Sequence, residues 1–111
     1  REMFDNGIGR ATAGLRGTEK LDAALSFIVE YQHSYSGFRL VDIEPEVVIT
    51  QLSWIIPVMR ARLLKLLTGP NSVVKAATAI RVAVSHYIVR SDDDDQFLAQ
   101  LRHAVGIKPA D

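Results

Sequence analysis

The chain has 111 residues, of which 48% are hydrophobic and 23% are charged, a composition that suits one globular domain with a modest core. Its net charge is zero, so the bulk numbers do not favour broad electrostatic binding to nucleic acid or to an anionic membrane. The absence of cysteine excludes disulfides, thiol catalysis and thiolate-bound zinc. Together with the lack of a signal-like segment, it favours an intracellular, cytoplasmic protein.

Residues 1–17 contain four of the seven glycines and show no sustained apolar period. Glycine at this density is costly in a regular element, so the segment is predicted to be a flexible arm with at most a short helical turn. Residues 18–107 are then expected to form a single helical domain, followed by a tail over 108–111.

A helix is predicted over 18–34, because apolar residues recur there at helical spacing behind the N-cap candidate Thr18. Its apolar stripe is predicted to consist of Leu21, Ala24, Leu25, Ile28 and Tyr35. Gly37 ends this helix, and residues 38–41 suit a short extended connector.

The segment 47–67 is the most informative part of the chain. Its apolar side chains point in nearly every direction on a helical wheel, so the helix must be surrounded by its own domain or by another chain. Polar residues such as Thr50, Arg60 and Arg62 interrupt it, which makes it a poor membrane span. We therefore expect it to be the central helix of a soluble domain.

Two prolines qualify this helix. Pro45 falls in its first turn, where a missing N–H costs little, but Pro57 lies inside and predicts a kink or a break. Two shorter helices over 43–55 and 57–67 are one alternative. A strand over 47–50 is another, although no second run is able to pair with it.

Residues 72–90 predict a further helix, capped by Asn71 or Ser72. Its apolar seam is predicted to consist of Val73, Ala77, Ile80, Val84 and Tyr87, with a weaker stripe of Val74, Val82 and Val89. A last helix opens after Ser91 and closes at Gly106. The fold class is therefore all-α: a compact bundle or orthogonal array of four to five helices around a central apolar helix kinked or broken at Pro57.

The run Asp92–Asp95 is the first candidate for chemistry. Clustered carboxylates bind divalent cations, but the EF-hand positions for glycine and glutamate are occupied here by Phe97 and His103. An N-cap followed by an acidic first turn explains the run more simply. No metal site and no cofactor are predicted.

Basic residues form the second candidate, an anion or nucleic-acid site made by Arg60, Arg62, Lys65 and Arg81. On a wheel Arg60 and Arg62 point in nearly opposite directions, and cations near a helix C-terminus are favoured by its dipole without any ligand. A helix-turn-helix over 71–105 is excluded on charge, because its recognition helix would present four aspartates to the DNA backbone.

The glycine-rich segment near the N-terminus and the three histidines give weaker indications of function. The spacing of Gly9 and Gly14 matches a phosphate loop only loosely, since the Lys-Ser/Thr pair and the preceding strand are missing. The three histidines, His33, His86 and His103, fall on separate helices without ligand spacing and are expected at the surface or at the edge of the core.

The function predicted is non-catalytic protein–protein interaction with self-association. A central helix apolar on all sides needs at least three neighbours, this chain offers about three, and the second apolar stripes of several of them leave surplus apolar surface for a partner. The predicted contact residues are Trp54, Tyr31, Tyr35, Tyr87, Val74 and Val82. The alternative is a nucleic-acid-associated accessory domain of a replication or packaging protein. A small helical enzyme with an arginine-lined anion pocket, using Glu30 as its carboxylate, comes third.

Overall fold

The computed structural model describes residues 2–34 and 40–108, which form five helices of eleven residues or more and one short helical turn. In chain order these are α1 (Glu2–Thr12), α2 (Gly17–Ser34), α3 (Leu40–Ile43), α4 (Pro45–Leu64), α5 (Ser72–Ile88) and α6 (Asp94–Val105). No strand occurs among the described residues, so the all-α prediction is confirmed and the strand alternative over 47–50 is wrong.

The core lies where α6 packs against both α2 and α5. Its largest fully buried side chains are Phe97 and Leu101 of α6 and Leu25 of α2. The stripe predicted for α2 is confirmed over Leu21, Ala24, Leu25 and Ile28, all of them buried. Tyr35 belongs to the same predicted stripe but lies outside the described residues.

Polar contacts fix α2 against its neighbours. Arg102 of α6 donates from Nε to Asp22 Oδ1 at 2.7 Å and from Nη2 to Oδ2 at 3.1 Å. The hydrogen bond to this carboxylate raises the pKa of Arg102. Because the ordinary pKa of arginine is already very high, this contribution to stability persists until strong alkali. Gln32 Nε2 also donates to the Ala83 carbonyl of α5 at 3.0 Å.

The prediction of an irregular arm over residues 1–17 is wrong for α1, which is helical and packs against α2. The reason is a close approach at Gly7, where any β-carbon would collide with the Phe27 ring. Glycine here permits helix packing instead of loosening the chain. Gly14 (φ 77°) then adopts the left-handed conformation that lets the chain turn toward α2.

The apolar helix over 45–64 is present, but two predictions about it need correction. The helix continues through Pro57 without a break, so neither of the two shorter helices forms. It is also not the buried axis of this chain, because Val48 and Leu63 are its only buried residues. The central position belongs to α5 and α6, since the alanines of α5 let α6 approach closely.

The face that α5 buries is also displaced from the predicted seam. The buried residues are Ala76, Ala79, Ile80, Ala83 and His86. Val73 of the predicted seam is 68% exposed. Ile80 is the one seam residue that is buried, and the alanines beside it allow a closer contact with α6 than larger side chains would. The buried His86 stacks on Phe97 with ring centroids 3.8 Å apart, so the prediction of a surface or edge position is wrong for this histidine.

Among the described helices, α4 is the single one long and apolar enough to cross a membrane by length and composition. Core helices of soluble proteins and signal sequences meet the same criterion, so this is weak evidence for a membrane.

Candidate docking groove

A groove of about 640 Å³ runs between α2 and α4, with α5 as its floor. The α2 wall is Ile28, Tyr31 and Gln32, and the floor is Ile80, Ala83, Val84 and Tyr87. The α4 wall is Val48, Gln51, Leu52, Trp54, Ile55, Ile56, Val58, Met59 and Arg62. Most of these side chains are apolar, and the volume lies within the range of ligand and peptide sites. We call this feature the docking groove.

Local packing explains why the groove stays open. Helix α4 packs on α5, with Leu63 in the core cluster and Ile56 and Met59 packed against it, while α2 packs on α6 and α1. The two walls thus have different main neighbours, although Gln32 of α2 is also hydrogen-bonded to Ala83 of α5, and Ile80, Val84 and Tyr87 of the predicted α5 seam line the space between the walls. The seam is therefore divided: Ile80 is buried in the core and also lines the groove, Val84 and Tyr87 are half-buried at the groove, and Val73 is exposed.

The outer wall of the groove is unusually exposed for so apolar a helix. Trp54, the only tryptophan of the chain, is 78% exposed. Val47 and Ile55 of the same helix are also exposed. A contiguous apolar surface beside a groove is typical of a protein or membrane contact.

The structure brings three predicted contact residues together, since Tyr31, Trp54 and Tyr87 line the docking groove from three helices. Tyr35 lies outside the described residues. Val74 is 64% exposed on α5 and does not line the groove. Val82 is half-buried in a separate depression between α5 and α6.

The basic residues of the nucleic-acid alternative lie on different surfaces. Arg62 lines the docking groove, and Arg81 lines the separate depression. Arg60 is half-buried, with an Nε that has no hydrogen-bond partner among the described residues. Lys65 is exposed just after the end of α4.

The aspartate run is a helix start, as predicted. Asp93 Oδ1 accepts a hydrogen bond from the Gln96 amide at 2.8 Å, and Gln96 Oε1 accepts one from the Asp93 amide at 3.3 Å. Two other carboxylates have partners of their own. Asp92 Oδ2 accepts from Gln100 Nε2, and Asp94 Oδ2 lies 2.7 Å from His33 Nδ1. This is a capping box extended by side-chain contacts, and no group of potential metal ligands occurs in the described ranges.

Sequence reasoning missed most of the groove lining. Gln32, Gln51 and Val84 lie on three different helices, and only tertiary packing brings them together. The all-round apolarity of α4 indicated that this helix needs a neighbour, but it did not indicate on which side of the helix that neighbour lies.

No protein-family model, no curated protein and no solved structure matches this chain.

Proposed function

We propose that the chain is a non-catalytic helical module that binds protein through the docking groove and the outer face of α4, and that it associates with itself. The observation that carries this proposal is the 78% exposure of Trp54 at the rim of an apolar groove. Exposed aromatic side chains next to a concave apolar surface are typical anchors of protein interfaces. A helix laid into a groove between helices is a common recognition mode.

The chemistry of the groove favours binding over catalysis. Its ionisable side chains are Arg62, Tyr31 and Tyr87, and no carboxylate or histidine lines it in the described part of the chain. General acid–base catalysis most often uses such a group within hydrogen-bond reach of the substrate, and tyrosine less often. Glu30, the carboxylate of the enzyme hypothesis, is exposed outside the groove. The enzyme hypothesis therefore has less support.

The nucleic-acid alternative also has less support, because Arg62 and Arg81 line separate surfaces and affinity for a phosphate backbone depends on several cations acting together. Fluorescence anisotropy with labelled single- and double-stranded DNA and RNA at low salt tests it directly. Binding that weakens steeply with salt would favour this alternative over the protein-binding proposal.

Size-exclusion chromatography with light scattering tests the proposal, using Trp54→Ala and Ile49→Ala over a range of concentrations. Ile49 is the matched control, because it is 60% exposed on the same helix but does not line the groove. We expect the parent chain and Ile49→Ala to associate as concentration rises and Trp54→Ala to remain monomeric. A parent chain that stays monomeric at every concentration and captures no protein through Trp54 would falsify the proposal.

A further inference from the structure

Resting on the function proposed above, we infer that the outer face of α4 is covered by α4 of a second copy of the chain, running antiparallel. The contact surface is a single row of residues on α4: Val47, Gln51, Trp54, Val58 and Ala61. We call this row the outer seam.

The spacing of the outer seam is four, three, four and three residues, which is the repeat that packs one helix lengthwise against another. The seam lies on the opposite side of α4 from Leu63, which is buried in the core, and Trp54 is about 180° from Leu63 on the wheel. One helix therefore carries two apolar faces, of which this chain covers one. Val47, Gln51, Trp54 and Ala61 are exposed, and Val58 is half-buried.

The charges at the two ends of α4 indicate which partner covers the outer seam and in which direction that partner runs. The acidic residues at the start of α4 are the N-cap Glu44 and Glu46, and the basic residues near the seam at its end are Arg62 and the C-cap Lys65. Two copies lying antiparallel bring the acidic end of one helix to the basic end of the other, and they also oppose the helix dipoles favourably. Two parallel copies place like charges side by side. The partner that best complements the charges beside the outer seam is therefore α4 of a second copy, running in the opposite direction.

Side-chain size is consistent with the same arrangement. A two-fold axis at the level of residue 56 places Trp54 of each copy beside Val58 of the other. The same axis places Gln51 beside Ala61, so a larger side chain meets a smaller one in both pairs. Trp54 and Val58 also line the docking groove, so the approaching helix lies over its mouth and reaches the α2 wall. This adds area that one helix pair lacks, because a stable interface buries about 800 Å² per partner.

Cysteine cross-linking tests the direction directly, because the parent chain contains no cysteine. Gln51→Cys and Ala61→Cys are made separately, in versions of different mass, and both sites are exposed on α4. Under mild oxidation we expect a disulfide-linked heterodimer when the two variants are mixed, and little cross-linking of either variant alone. Disulfide formation requires Cα atoms within about 7 Å, so the result reports the register as well as the direction.

Charge reversal provides an independent readout that leaves the apolar seam intact. Glu44→Lys and Lys65→Glu are each expected to weaken the dimer about two- to five-fold, the range for exposed ion pairs. Because the pairs form between copies, the double variant Glu44→Lys/Lys65→Glu is expected to recover most of the affinity. An additive loss in the double variant would contradict the antiparallel arrangement.

The outcomes separate this inference from the proposed function. Cross-linking of each cysteine variant with itself would indicate parallel helices, and a dimer without any cross-link would place the interface on another face. Both results overturn the inference and leave protein binding intact. A chain that stays monomeric but floats with phosphatidylcholine vesicles, with Trp54 emission shifted to shorter wavelength, would place α4 against lipid and overturn both.

Discussion

Helices α4 and α6 both pack against α5, but they differ in how much of their apolar surface is buried. Helix α6 has one apolar face, fully buried at Phe97 and Leu101, and its N-terminus is closed by a capping box. Helix α4 is apolar on several sides and has no side-chain cap at Glu44. Only two of its residues are buried. The apolar face of the first helix is buried within the chain, whereas several apolar residues of the second are exposed.

The difference shows that the amount of apolar surface on a helix does not determine its position in the fold. Helix α6 occupies the centre because a narrow stripe with large residues meets small alanines on α5, and this gives dense packing. Helix α4 has more apolar surface, but much of it stays exposed, at Ile49, Trp54 and Ile55 above all. Excess apolar surface on a peripheral helix is more typical of an interface than of a core.

The largest change in the free energy of unfolding is expected from a substitution at the centre of α6. Truncation of the fully buried Phe97 to alanine removes the ring that stacks on His86. The loss in the free energy of unfolding should be about 3–5 kcal/mol, measured by urea or guanidinium denaturation. Leu98→Ala, at a half-buried position on the same helix, is the control and should cost clearly less. Equal losses at the two positions would mean that the centre of α6 is not the core of the molecule.

The second largest change in the free energy of unfolding is expected in α4, and it is a gain in stability. Pro57 lies exposed in the middle of the helix, where it removes the hydrogen bond to the Ser53 carbonyl. Because a proline in a helix interior costs about 3 kcal/mol relative to alanine, Pro57→Ala should stabilise the chain. Greater flexibility of the unfolded chain offsets about 0.4–1 kcal/mol of this gain.

Thermal and chemical denaturation of Pro57→Ala measure this gain. Pro45→Ala is the matched control, since Pro45 stands in the first turn of the same helix and has no N–H to contribute there. Its substitution should therefore bring no gain and should cost about 0.4–1 kcal/mol through the unfolded chain. A loss of stability in Pro57→Ala would show that the proline shapes α4 in a way that the packing on α5 requires.

A smaller loss is expected at the capping box of α6. Asp93→Ala removes the carboxylate that accepts the Gln96 amide hydrogen bond, and loss of such a cap costs about 1 kcal/mol. Asp95→Ala leaves the capping box in place and removes only a charge from the first turn, which should cost about 0.3–1 kcal/mol at low salt. Chemical denaturation of the two variants at low and high salt separates capping from the dipole effect.

The two helices also differ in how far the sequence predicts them. The acidic start of α6 at Asp92–Asp95 and the apolar stripe of α2 were predicted, because both follow from local spacing. The part that Gln96 plays in the capping box was not predicted. The position of α4 was not predicted either, because burial depends on which neighbour packs best. Gly7 shows the same limit, since its role depends on Phe27 in another helix.

The candidate site was predictable only in part. The three aromatic residues Tyr31, Trp54 and Tyr87 were identified from the sequence as contact residues, and they line one groove. The groove itself arises because α2 and α4 are held by different neighbours, which no spacing along the chain encodes. His86 likewise has a surface-compatible sequence context, and only its stacking on Phe97 explains its burial.

Trp54→Ala is expected to change the stability of the monomer least. It also tests the difference between α4 and α6 most directly. At concentrations where the chain is monomeric, Trp54 is 78% exposed, and its removal should change the free energy of unfolding by no more than about 0.5 kcal/mol. At higher concentrations association stabilises the folded state by mass action, so the Tm of the parent chain should rise with concentration. The Tm of Trp54→Ala should not.

Calorimetry of both proteins over a hundredfold range of concentration distinguishes the two roles of an apolar residue. Phe97→Ala lowers the Tm equally at every concentration, because its contacts lie within one chain. If Trp54 contacts a second chain, as proposed, Trp54→Ala should remove only the dependence on concentration. If Trp54→Ala instead lowered the Tm equally throughout, α4 would be completing the fold of its own chain, and the difference between α4 and α6 would be one of degree.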